Sequence, residues 1–180
     1  MAAEYVDRIR GLQASGPYYL VGWSFGGTPA HEIAVRLEAE GEQVSLILMD
    51  AFPAGPGTDT VPSRRTTADG TARLAERIRA ELGALLGGVD EEEIASLAQV
   101  FDNNATLRIR HNYGTFGGET LILVAEEGKR ADFSAETLWQ PHLTRQASTV
   151  PLPCAHSDMA RPDMLARAWE AIAEWLHTRS

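Results

Sequence analysis

Ser24 lies in the run Gly22-Trp23-Ser24-Phe25-Gly26-Gly27, a Gly-x-Ser-x-Gly spacing that sets small residues on either side of a hydroxyl. Tyr18, Tyr19, Leu20 and Val21 precede it as an apolar run, and Ala30, Ile33, Ala34 and Leu37 follow at helical spacing. The order is strand, sharp turn, helix. In that context a serine can be held at the tip of a strained turn with its Oγ exposed. Gly22 and Gly26 are expected to supply the small neighbours the turn needs. The helix that follows aims its first N–H groups at the place where a substrate oxyanion would form, and the backbone N–H of Phe25 is the expected oxyanion donor.

A serine hydroxyl is a poor nucleophile at neutral pH and needs a base within hydrogen-bond reach, oriented in turn by a carboxylate. Of the histidines, His31 falls on the helix after the serine, His111 at the end of a helical insertion, His142 before the last strand and His177 in the terminal helix. His156 alone is placed in a loop just past the final strand, where a base can reach back to Ser24. Two positions compete for the acid. Asp50 ends the apolar run Leu46-Ile47-Leu48-Met49, at the strand edge where sites of open α/β sheets collect. Glu126, with Glu127 beside it, ends the next strand. Asp50 is preferred because its run buries it, whereas Glu126-Glu127-Gly128-Lys129 reads as a solvated turn; Glu126 stays as the alternative. Asp158 is read as a cap near the terminal helix, and Cys154 as a small apolar filler rather than a nucleophile.

The elements that must position these groups follow from periodicity. Tyr5, Ile9 and Leu12 mark a short amphipathic helix closed by Ala14-Ser15-Gly16-Pro17. The helix after Ser24 should run to about Glu40 and stop at Gly41, with Pro29 tolerated in its first turn. Residues 44–49 and 120–125 read as nearly all-apolar strands of a parallel sheet, and 146–152, weakened by Pro151, as an edge strand. Between the first two lies a Gly/Pro-rich break and two helices. Leu74, Ile78, Leu82 and Leu85 form one stripe; Asp90 and Glu93 form a capping box for another, with Ile94, Leu97, Phe101 and Ala105 facing inward. Residues 54–113 are therefore expected to form a helical lid inserted in a single domain spanning 1–180. Ser134 to Trp139 should make a short helix, and a terminal helix starting near Pro162 should bury Leu165, Trp169, Ile172 and Leu176.

At 180 residues, with 44% hydrophobic and 23% charged residues, the chain suits one soluble globular domain. A net charge of -9 argues against a polyanionic partner, and neither a signal peptide nor a membrane span is evident. A single cysteine permits no intrachain disulfide and fits a cytoplasmic location. No residues have zinc-ligand spacing, and the glycines lack the Lys-Ser/Thr of a phosphate-binding loop.

Gly22-Trp23-Ser24-Phe25-Gly26-Gly27, Leu48-Met49-Asp50-Ala51-Phe52-Pro53 and Ala155-His156-Ser157-Asp158-Met159 together resemble the C-terminal thioesterase domains of nonribosomal peptide synthetases, with polyketide synthase thioesterases as close relatives. The likeness runs over essentially the whole chain. It implies an α/β-hydrolase fold, a mostly parallel sheet flanked by helices with a helical lid insertion. By the same resemblance Ser24 is the acyl acceptor, His156 the general base and Asp50 its orienting acid. The reaction implied is release of a peptidyl or polyketide chain, by water or by ring closure, from the phosphopantetheine arm of a peptidyl or acyl carrier protein domain in the same synthetase. No cofactor bound by the domain itself, no nucleic acid and no membrane is implied. Members of the family carry more residues before the elbow, so the first strands of the sheet and the loop donating a second oxyanion N–H are expected to be missing here. The strand before Ser24 would then form an apolar edge. A free-standing serine esterase or lipase, and a non-catalytic interaction module with the same fold, are the alternative functions.

Overall fold

Runs such as Val44–Met49 and Glu119–Ala125 are too apolar to leave either face in water, and the chain covers both. The computed structural model describes residues 2–54 and 90–178. Over these residues the elements are α1 (Ala2–Leu12), β1 (Tyr18–Trp23), α2 (Gly27–Ala39), β2 (Val44–Met49), α3 (Glu91–Arg110), β3 (Glu119–Ala125), α4 (Ala135–Trp139), β4 (Ser148–Leu152) and α5 (Pro162–His177). The four strands form one parallel sheet in the order β1-β2-β3-β4.

Alternation along the strands divides the core in two. Leu46 and Leu48 of β2 and Ile122 and Val124 of β3 pack with Val6, Ala30, Ile33, Ala34, Leu37 and Trp139, beneath α1, α2 and α4. Ile47 and Met49 of β2 and Leu121, Leu123 and Ala125 of β3 face the opposite way, onto Met164, Ala168, Ile172 and Trp175 of α5. β1 and β4 are the edges among the described residues, and on β1 the side chains of Tyr19, Val21 and Trp23 are exposed.

Two helices bury a different stripe from the expected one. α5 seats Met164, Ala168, Ile172 and Trp175, while Leu165 and Trp169 are exposed. The sequence offers two adjacent apolar stripes here; the one that is seated sets Ala168 and Trp175 inside and leaves Trp169 outside. α1 likewise buries Val6, with Ala2 and Ile9 against the core, and exposes Tyr5 and Leu12.

By contact, the chain divides into two units, residues 1–55 with 112–180, and residues 56–111. The stripe expected at Leu74, Ile78, Leu82 and Leu85 lies outside the described residues. α3 starts at the expected capping box: Asp90 Oδ1 accepts from the N–H groups of Glu92 and Glu93, both at 2.9 Å, and Glu93 Oε2 accepts from Asp90 N–H at 3.1 Å. Ile94 and Ala98 are buried, but Phe101, further along the same face, is 41% exposed. Periodicity identified the face and not how far along it the packing extends. Among the described residues no helix is long and apolar enough to cross a membrane.

α2 ends as its sequence directs. Gly41 has φ +87°, its N–H donates to Glu38 C=O at 2.9 Å, and Glu42 N–H donates to Leu37 C=O at 3.0 Å. This pair of bonds closes the helix and turns the chain toward β2. Gly41→Ala forces a side chain into the left-handed region without a clash and should cost about 1 kcal/mol of stability, measured by urea denaturation. An unchanged midpoint would show that the turn relaxes to another conformation.

Candidate active site

β1 and β2 run in register, with Trp23 opposite Met49, so the residues that follow them, Ser24 and Asp50, leave the same edge of the sheet side by side. Both have backbones in the left-handed region, Ser24 at φ 54° and Asp50 at φ 44°. A non-glycine residue adopts that conformation at a cost, and the surroundings hold each in place.

At Ser24 the chain breaks from β1 into a single 3-10 turn, Ser24–Gly26, and then into α2. Gly22 makes this possible, because a Cβ there would lie 2.5 Å from Gly26 O and 2.6 Å from Gly27 Cα. The second tight position is Gly27, where a Cβ would strike that of Ala51. Gly26, by contrast, has open space where its Cβ would be and an ordinary φ of -57°. The expectation that Gly22 and Gly26 are the required pair is thus corrected to Gly22 and Gly27. The spacing pattern marks the turn, and α2's close approach to the corner after β2 decides which glycine is needed. The Phe25 N–H belongs to the first turn of this helical run, at its positive end.

At Asp50 the backbone is fixed by its N–H donating to Leu123 C=O at 2.7 Å and by the Trp139 indole N–H donating to Ala51 C=O at 2.8 Å. The carboxylate is buried, with three donors on it. Oδ1 accepts from Ala125 N–H at 3.1 Å, and Oδ2 accepts from His156 Nδ1 at 2.7 Å and Lys129 Nζ at 2.9 Å. Burial is the largest single influence on this carboxyl and pushes its pKa up; the hydrogen bonds and charges of His156 and Lys129 together outweigh it and hold the pKa below the ordinary value.

His156 stands in the loop after β4, at the head of the 3-10 turn Ser157–Ala160. Because an ionised carboxylate only accepts, Nδ1 carries the proton and Nε2 is free to accept from Ser24 Oγ, 3.0 Å away. The Trp23 indole stacks on the imidazole with centroids 5.6 Å apart and 28° between planes. One ring thus bridges Ser24 to Asp50, an arrangement able to take a proton from the hydroxyl and to stabilise the imidazolium that results.

The other candidates fall elsewhere. Glu126 and Glu127 are exposed on the turn after β3, their N–H groups bonded to Leu152 and Cys154 carbonyls. Cys154 is buried in the core under α5; burial first, then the negative charges of Asp158, Asp50, Glu127 and Asp163, push its thiol pKa up, which suits a packing role. His31 is fully buried among the rings of Tyr113, Phe116, Trp139 and His142. Asp158 does not cap α5. That helix starts at Pro162 with Arg161 at its N-cap, a side chain that has only donors and so cannot accept from the first-turn N–H groups. Sequence reasoning missed Lys129, whose only signal was its place in a turn at the end of β3.

Two expectations follow. Gly22→Ala should displace Ser24 and abolish labelling by a fluorophosphonate, whereas Gly26→Ala should label at a rate within about threefold of wild type, the space at Gly26 being open. Equal labelling of both would show that the corner absorbs the clash. Second, because the folded-state pKa of Asp50 is depressed, its ionisation stabilises the fold above the ordinary carboxylate range, and that contribution is lost as pH falls below about 4. The stability gap between wild type and Asp50→Asn, read by urea denaturation, should narrow through that window; a gap independent of pH contradicts it.

The thioesterase domain family matches residues 1–178. A dimodular nonribosomal peptide synthase of Bacillus subtilis is 28% identical over 96% of this chain, and the match spans only 8% of the synthase; enterobactin synthase component F of Escherichia coli is 32% identical over 83% of the chain and 12% of its own length. Among solved structures, the NocB thioesterase domain, in covalent complex with a fluorophosphonate nocardicin G analog, superposes with a TM-score of 0.67 at 28% identity, covering 98% of this chain and 74% of that one. The surfactin thioesterase domain SrfTE shares the fold at a TM-score of 0.71 and 22% identity, over 97% of this chain and 74% of its own. With its parallel sheet flanked by helices and its serine at the strand-to-helix corner, the chain belongs to the thioesterase domain family and has the α/β-hydrolase fold.

Proposed function

We propose that this domain releases a peptidyl, or polyketide, chain from the phosphopantetheine thioester of a carrier protein in the same synthetase, through an acyl ester on Ser24. The observation that carries the reading is the His156 ring, hydrogen-bonded at once to Ser24 Oγ and Asp50 Oδ2. The family match and the synthetase relatives support it.

In the first half, Ser24 Oγ attacks the thioester carbonyl and its proton passes to His156 Nε2. Asp50 holds the imidazole in position and balances its charge. The oxyanion is met by the Phe25 N–H at the start of the helical run. As the tetrahedral intermediate collapses, the C–S bond breaks and His156 returns the proton to the departing thiolate, leaving the acyl ester and a free pantetheine thiol. In the second half, His156 takes a proton from water or from a nucleophile within the chain, that oxygen or nitrogen attacks the ester, and Ser24 leaves with the proton restored. Release by water gives a linear acid, and release by the internal nucleophile a ring. The carrier-bound substrate and a cytoplasmic setting belong to the same reading.

Incubation with an acyl-pantetheine thioester, followed by intact-mass spectrometry, tests it. Wild type should gain one acyl group and Ser24→Ala none, while Asp50→Asn should acylate on the order of 10³–10⁴-fold more slowly. An equal mass gain on Ser24→Ala would move the acyl acceptor away from this site, and equal turnover of a soluble carrier-free ester would favour a general esterase.

A further inference from the structure

In a Ser-His-Asp arrangement the carboxylate makes the imidazole a stronger base, because its negative charge stabilises the protonated ring. Here the oxygen that does this is shared. Asp50 Oδ2 accepts from His156 Nδ1 at 2.7 Å and from the Lys129 ammonium at 2.9 Å, while Oδ1 is occupied by the Ala125 N–H. The carboxylate side chain is 1% exposed and that of Lys129 19%, so water screens their interaction little.

The position of Lys129 is built from more than one element. Its backbone N–H closes the turn after β3 onto Glu126 C=O at 3.2 Å. Its ammonium lies 5.1 Å from the centre of the Phe52 ring and 5.3 Å from that of Phe133, and these two rings meet edge to face at 4.9 Å. Two aromatic faces hold the cation against the carboxylate.

We propose that Lys129 is a positioning residue that sets the basicity of His156 by sharing Asp50 Oδ2 with it. The inference deepens the thioesterase reading of this site and rests on it for its catalytic meaning. A cation beside the acid offsets part of the charge that favours imidazolium, and so bears on how readily His156 takes the Ser24 proton. The groups whose hydrogen bonds and charges act on the Asp50 carboxylate are His156 and Lys129, while Glu127, Asp158 and Asp163 act on the adjoining Cys154 thiol. The hydrogen bond and the charge of Lys129 both act to hold Asp50 ionised.

The test titrates His156 itself. In the full 180-residue chain, the His156 ring resonance, assigned by its loss in His156→Gln, is followed by NMR from pH 4 to pH 9 in wild type, Lys129→Met and Lys129→Arg. Removing the positive charge should raise the His156 midpoint by about 0.5 to 1 unit, and Lys129→Arg, which keeps it, should stay within about 0.2 unit of wild type. The acid limb of the pH profile of kcat/KM on an acyl-pantetheine thioester should move upward by the same amount in Lys129→Met. A merely structural lysine would lower activity at every pH and leave the midpoint in place. Should Lys129→Met fail to fold, Lys129→Gln keeps a hydrogen-bond donor without the charge and reads the same shift. An unmoved or lowered midpoint in the folded neutral variant overturns the proposal. A raised midpoint in a chain that turns over no thioester supports the role of Lys129 and counts against the proposed function instead.

Discussion

A carboxylate removed from water has to be given back the hydrogen bonds it lost, or it takes up a proton. Asp50 is that group here, and much of the sheet's carboxyl edge is arranged to satisfy it. β3 supplies the Ala125 N–H, the turn beyond it supplies Lys129, and the loop after β4 supplies His156. Two stretches distant from Asp50 in the chain, the end of β3 with its turn and the loop after β4, are tied to one side chain. The loop carrying His156 has its position from this contact and from the stacked Trp23 ring, and His156 in turn decides whether Ser24 has a base beside it.

Strain at the two corners is the counterpart of that convergence. Ser24 and Asp50 both take left-handed backbones, and both follow strands locked in register through Trp23 and Met49. The sheet's hydrogen bonds, the Asp50 N–H to Leu123 C=O and the Trp139 indole to Ala51 C=O fix the strand ends firmly enough to impose those conformations. The tight fit of Gly27 against Ala51 shows how the corners depend on each other: the helix following one lies on the residue following the other. A change at either corner is felt at both.

Much of this was legible in the residues. The strands at 44–49 and 120–125 are nearly all-apolar runs, the capping box at Asp90 and the stop at Gly41 are local chemistry, and the three positions that meet lie at or just past strand ends, which alternation and breakers locate. The rest depends on distances between segments. Periodicity could not choose between the adjacent stripes of α5, because a choice that leaves Trp169 in water and seats Ala168 inside depends on how the helix packs on the strands. Nor could the motif say that Gly27, and not Gly26, is the position without room. Lys129 was unreadable for the same reason: a lysine in a turn is ordinarily solvated, and only the neighbouring Phe52, Phe133 and Asp50 make it otherwise.

The stacking of Trp23 on His156 gives the site an optical property. An imidazolium near an indole draws electron density from its excited state and quenches its emission, which a neutral imidazole does far less. With the two rings stacked 5.6 Å apart, a charge gained by His156 is expected to dim the emission of Trp23. A chain in which only Trp23 remains among its tryptophans would report that charge as a dimming on acidification; emission flat across the titration of His156 would mean that the rings do not stack in solution.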